Sequence, residues 1–214
     1  MTKESPWIIN ARDYTQHRQW SERCLFLVQY AVLAPSSHNT QPWTFRISEN
    51  TIDVLMDDSR WLKVADDDQR ELHISIGCAI ENLLVAAEHF GLTHQVVYLP
   101  DPSNPMLAAR VEFSTSGVAS SNRPNSLFPM IVVRHTNHGE YESRAIPLEV
   151  LASLQSLCTE SEITLYLTAD EQIKRKVDAL VVQADALEFA DPEFRRELGY
   201  WIGEPYWGRG YATE

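Results

Sequence analysis

Ala34-Pro35-Ser36-Ser37-His38-Asn39-Thr40-Gln41-Pro42-Trp43 is the stretch from which the fold of this 214-residue chain can be read. Cys24, Leu25, Val28, Ala31 and Val32 recur at helical spacing and run into it. Strand-like sequence, Trp43 to Ile47, runs out of it. Pro35 and Pro42 restrict φ and withhold two amide donors, so no regular ladder passes through. Ser36, Ser37 and Asn39 can bond their own backbone or a ligand. One reading is a helix stop followed by a turn. It accounts for a proline and a serine but leaves Asn39, Gln41 and Trp43 without a role. The other is a ligand-binding loop held between two rigid elements, which is where binding residues concentrate.

Working outward, composition limits what such a loop can serve. With 44% hydrophobic residues the chain can bury one sizeable core or two small ones. Its net charge of -12 repels phosphodiester backbones, so nucleic acid is not an expected partner. A bound phosphate would need a local cationic site. Cys24, Cys78 and Cys158 show neither metal spacing nor a disulfide framework, which points to a reducing compartment, the cytoplasm. No signal-like stretch follows Met1, and no apolar run is long enough to span a membrane. The seven histidines form no HxH or HExxH pattern, so no metal site and no metal-dependent hydrolase are expected.

Along the chain, Ser21 is a candidate N-cap for the first helix. Strands are expected over 43–47 and 51–56, with Glu49-Asn50 as the turn. Asp66-Asp67-Asp68 can cap a helix from Arg70 to Phe90 that is apolar on more than one face and ends at Gly91. Cys78 within it reads as a small core residue rather than a nucleophile. Strands are expected over 95–99 and 107–113. The Ser-, Gly- and Asn-rich stretch 114–125 is a candidate boundary between halves 1–120 and 121–214. Helices over 147–157, 169–188 and 192–202 and a strand over 163–167 follow, then an aperiodic tail.

Arg134-His135-Thr136-Asn137-His138 is a compact cationic cluster carrying a hydroxyl. A guanidinium fork with hydroxyl and imidazole donors suits a phosphate; a solvated turn before the next helix is the alternative.

The 34–43 stretch resembles the APSSxNxQPW segment of the flavin-dependent nitroreductase superfamily, in the form seen in its Acg-type branch. The helix Arg70 to Phe90 is similar to the long central helix of that family, through its segment Arg70 to Leu83. Arg134 to His138 is similar to the Arg-Arg-Thr-Asn-Arg form that opens the second of two fused halves, with histidines at two arginine positions. Neutral imidazole offers one donor where guanidinium offers several, so the substitution weakens a phosphate site and makes it pH-dependent. No counterpart of the 34–43 loop or of the 70–90 helix is visible in the second half. A shortened second half, or a sequence that is a piece of a longer protein, is therefore expected.

The resemblance implies an α+β nitroreductase-like fold, with a mixed or antiparallel sheet and helices around a long buried helix. It implies flavin mononucleotide (FMN) as cofactor and NAD(P)H as electron donor, with a nitroaromatic or quinone-like small molecule as acceptor. It assigns Arg134, His135, Thr136 and His138 to the phosphate. Ser36, Ser37, Asn39 and Gln41 would face the flavin's polar atoms, and Pro35 would pack on its ring. No catalytic acid is identified. A homodimer is expected, because the 70–90 helix is apolar on more faces than one small domain covers. A non-catalytic flavin-binding or sequestering protein, or a remnant binding no flavin, is the competing expectation.

Overall fold

The computed structural model describes residues 7–116, 123–137, 139–158 and 162–202. The chain forms two compact units, one of 1–136 with 196–214 and the other of 137–195.

In the first unit, α1 (Trp20–Ala31) begins at Gln19 rather than at Ser21. The Glu22 carboxylate accepts from the backbone N–H groups of Arg18 and Gln19, the returning half of a capping box, which sets the start two residues before Ser21. β1 (Trp43–Ser48) and β2 (Thr51–Met56) form the expected hairpin, with Glu49 in the left-handed region at its turn. β3 (Thr93–Tyr98) and β4 (Leu107–Ser114) form a second antiparallel pair. The sheet order is β1-β2-β4-β3, antiparallel throughout. Its apolar face carries Phe45, Ile47, Ile52, Val54, Val111 and Phe113, packed in one core with residues of the helices. On the other face Arg46, Asp53 and Arg110 stand in register across three strands. Arg110 grips the nearly buried Asp53 carboxylate bidentately at 2.6 and 3.0 Å. That hydrogen-bonded fork, with Arg46 beside it, holds the Asp53 carboxyl below its ordinary value.

α2 (Arg70–His89) owes its start to Asp66. The buried Asp66 carboxylate accepts from Glu71 N at 2.8 Å and Leu72 N at 2.9 Å, at the positive end of the helix dipole. Gly91, at φ 76, ends the helix, and Leu92 N reaches back to the Ala87 carbonyl. Burial along α2 is uneven. Leu83 to Ala87 are all buried, whereas His73, Ile74, Gly77 and Glu81 remain exposed. A helix that is apolar on more than one face is thus enclosed only in its second half. α3 (Phe128–Ile131) carries the first unit past the 114–125 stretch, because Phe128 and Ile131 bury themselves in the same core. Arg123 fastens the approach by bonding Glu81 through two nitrogens and Glu88 through a third.

The second unit contains α4 (Leu148–Leu157), α5 (Glu171–Ala190) and the start of α6 (Pro192–Ile202). Asp170 caps α5 by accepting from Gln172 N and Ile173 N. The strand expected over 163–167 is not formed; the segment has no ladder partner among the described residues, and a strand's stability comes from its pairing. Neither α4 nor α5 buries a residue. No described helix is long and apolar enough to cross a membrane. The 203–214 tail lies outside the described residues.

Candidate functional site

The loop after α1 is built from strained backbone. His38, Asn39 and Gln41 have φ values of 48°, 50° and 52°, a region that costs any residue with a Cβ. A single turn, Ser37–Asn39, lies inside it. The loop is braced by its own side chains: Gln41 N donates to Ser36 Oγ at 2.9 Å, and Gln41 Nε2 donates to Asn39 Oδ1 at 3.2 Å. Pro42 and Trp43 are buried, anchoring the exit, and Ala34, Trp43 and Ala79 pack as a small apolar cluster against α2. Pro35, Ser36, Ser37, Asn39 and Gln41 remain half-buried, in reach of a ligand. Beside the loop lies an open groove of about 350 Å³, walled by Leu25, Val28 and Val32 of α1 and by Trp43, Phe45 and Ile47 of β1.

Arg134 comes to the same place from 101 residues further along the chain. Its Nη2 donates to the carbonyl of Leu33, the residue that leads into the loop, at 3.3 Å. Its Nη1 lies 3.4 Å from Thr136 Oγ1. Its Nε is buried and has no hydrogen-bond partner among the described residues. Such an orphan donor costs about 1–3 kcal/mol, so a group that accepts from it would be favoured there. The half-buried Cys78 of α2 completes the neighbourhood: burial raises its pKa, the Arg134 charge pulls it back, and Glu81 adds to the rise. Cys24 is wholly buried and its thiol is pushed up to about 11, so neither cysteine is an activated nucleophile.

His135 is exposed and its Nδ1 approaches the Val133 carbonyl at 3.4 Å. Thr136 is exposed at the end of the first unit. His138 lies outside the described residues. The structure therefore brings the 34–43 loop, Cys78 and Arg134 together, and leaves His135 turned to its own backbone.

Arg60 and Asp57, just past β2, carry no site signal in the sequence. Arg60 Nη1 donates to the Thr40 carbonyl at 2.7 Å, and Asp57 N donates to the Pro42 carbonyl at 3.0 Å. Nothing in local spacing signals a bond between positions 20 apart.

No family model matches the chain. Over 177 residues, 81% of its length, it is 30% identical to the Mycobacterium tuberculosis protein Rv3131, provisionally named a NAD(P)H nitroreductase, of which it covers 49%. It is 27% identical over 82% of its length to the provisionally named NAD(P)H nitroreductase acg of the same organism, covering 53% of that protein. PigM of a Serratia species, also a NAD(P)H nitroreductase by provisional name, is 28% identical over 82% of the chain and 50% of itself. The chain spans about half the length of the curated relatives it matches. A crystal structure of a provisionally named Desulfovibrio desulfuricans nitroreductase in complex with FMN aligns with 58% of this chain and 95% of its own. The identity there is 18% and the TM-score 0.39, too loose a likeness to argue from.

Proposed function

We propose, on the premise that this chain is a distant homologue of proteins named NAD(P)H nitroreductases, that it binds FMN and passes electrons from NAD(P)H to a nitroaromatic or quinone-like acceptor. The observation that carries the reading is Arg134: a guanidinium beside the entry to the loop, bearing a buried and unpartnered Nε. An anionic phosphate would satisfy that donor and draw the fork away from its two long contacts. Thr136 would add a hydroxyl, and His135 and His138 would add imidazole donors that strengthen on protonation. Ser36 Oγ already accepts from Gln41 N, which leaves its hydroxyl proton for a flavin oxygen or nitrogen. Ser37, Asn39 and Gln41 would bond further polar atoms of the flavin, and Pro35 would pack on its ring.

FMN, when bound, supplies the hydride and electron chemistry; this chain's residues bind it, orient it and limit water around it. A homodimer belongs to the same proposal. Ile74 and Gly77 of α2 stay exposed, as do Ile173, Val177, Leu180 and Val181 of α5, apolar surface that a second copy would cover.

One observation favours a second reading, a flavin-binding protein without turnover or a remnant without flavin. Ser36 and Asn39 are engaged inside their own loop, and two imidazoles stand where the resemblance has guanidinium groups. The visible absorption spectrum of the purified protein separates binding from none, the expected result being bound oxidised flavin. NADPH oxidation with a nitroaromatic acceptor then separates enzyme from store. A colourless protein that takes up no added FMN refutes the proposal, and a monomer mass by light scattering refutes the dimer.

A further inference from the structure

We infer that Arg60, seated by Asp57, is a positioning residue for the strained Ser37–Gln41 turn and, through it, for the ligand that the turn meets; the second half of this inference rests on the flavin reading above. Gln41 sits at φ 52°, a conformation its unbranched side chain does nothing to favour, and hydrogen bonds to the preceding peptide and to the one beyond Pro42 hold it there. The carbonyl before it, on Thr40, accepts from Arg60 Nη1 at 2.7 Å. One peptide beyond it, the Pro42 carbonyl accepts from Asp57 N at 3.0 Å. Both donors belong to one short turn, so they move as a unit. Arg60 N bonds the Asp57 carbonyl at 3.0 Å. Asp57 Oδ1 accepts from Ser59 N at 3.0 Å and from Ser59 Oγ at 2.6 Å. Asp57 Oδ2 lies 3.6 Å from Arg60 Nε, which orients the guanidinium toward Thr40.

Thr40 is 2% exposed, so water has little access to replace the guanidinium at that loop. Losing the guanidinium frees the Thr40–Gln41 peptide to rotate toward ordinary backbone. That rotation carries Gln41 N away from Ser36 Oγ and Gln41 Nε2 away from Asn39 Oδ1. The polar atoms of the loop would then no longer hold one arrangement. Arg60 thus acts through the turn, without being required to touch the ligand itself.

The test compares wild type with Arg60→Ala, Arg60→Lys and Asp57→Asn. Amide hydrogen exchange reads the turn directly, with residues 76–87 of α2 as the internal control. In Arg60→Ala, exchange over 37–43 is expected to rise at least about tenfold, the loss of one charge-assisted bond, while α2 keeps its protection. The FMN dissociation constant is expected to rise by about the same factor. At saturating FMN the visible band of the bound flavin shifts in Arg60→Ala and returns toward wild type in Arg60→Lys, whose ammonium can reach one carbonyl. Should Arg60→Ala fail to fold by circular dichroism, Asp57→Asn reads the same bracket more gently, with a smaller rise confined to 37–43. Unchanged exchange over 37–43, or a parallel rise in α2, overturns the positioning role. Raised loop exchange with wild-type FMN affinity and spectrum overturns the link to the ligand. If wild type takes up no FMN, the flavin reading fails, and the exchange measurements alone decide whether Arg60 positions the turn.

Discussion

Replacing Arg134 by methionine separates a structural tie from a ligand contact, because the structure assigns the two different magnitudes. On the folding side, Arg134 makes two hydrogen bonds among the described residues, 3.3 Å to the Leu33 carbonyl and 3.4 Å to Thr136 Oγ1. Both sit at the long end of hydrogen-bond geometry, so each contributes about 0.5 kcal/mol, the low end of the usual range. Against them stands the buried, unpartnered Nε, whose desolvation costs about 1–3 kcal/mol and which methionine removes while keeping much of the apolar stem. The balance leaves Arg134→Met between neutral and about 2 kcal/mol more stable than wild type in urea unfolding without FMN. On the ligand side, a hydrogen bond to a charged group is worth about 1.5–3 kcal/mol, so FMN affinity measured by fluorescence quenching should fall about 10- to 150-fold. Arg134→Lys should recover only part of that, since a point charge replaces a fork. Wild-type affinity in Arg134→Met refutes the phosphate assignment. A loss of stability above about 2 kcal/mol refutes the argument from weak contacts and makes Arg134 a structural tie.

Other perturbations have distinct signatures. Asn39→Ala removes one neutral hydrogen bond and should weaken FMN about 2- to 13-fold, less than Arg134→Met; the same titration ranks the two. Gly77→Ala meets nothing within 4 Å, so the protein without FMN should gain about 0.5–1 kcal/mol by chemical unfolding, while a second copy or ligand packed on that strip would bind less well. A destabilised Gly77→Ala would mean the space is already taken. Asp53, held below its ordinary 3.8 chiefly by the Arg110 fork, contributes stability that is full above that pH and is lost as pH falls through its lowered folded value. Asp53→Asn should therefore flatten the acid limb of a thermal-unfolding profile below about pH 4; an unchanged limb would assign acid sensitivity to other carboxyls.

What the sequence by itself determined was local. The β1–β2 hairpin and the α2 limits set by Asp66 and Gly91 follow from turn chemistry, capping and periodicity within a few residues. The 34–43 loop was legible as a loop for the same reason: two prolines and a polar run forbid anything regular. Tertiary structure decided the rest. The 163–167 segment has strand composition, but a strand needs a neighbour to pair with, and none is supplied there. The apolar residues of α2 announced burial without saying which half of the helix would be enclosed. That depended on α1, α3 and the sheet, and it left His73, Ile74 and Gly77 outside. The meeting of Arg134 with Leu33, and of Arg60 with Thr40, spans 101 and 20 positions. No spacing rule encodes such contacts, because the free energy that makes them is the burial of the core between their elements, with the polar pairs formed wherever that packing brings them.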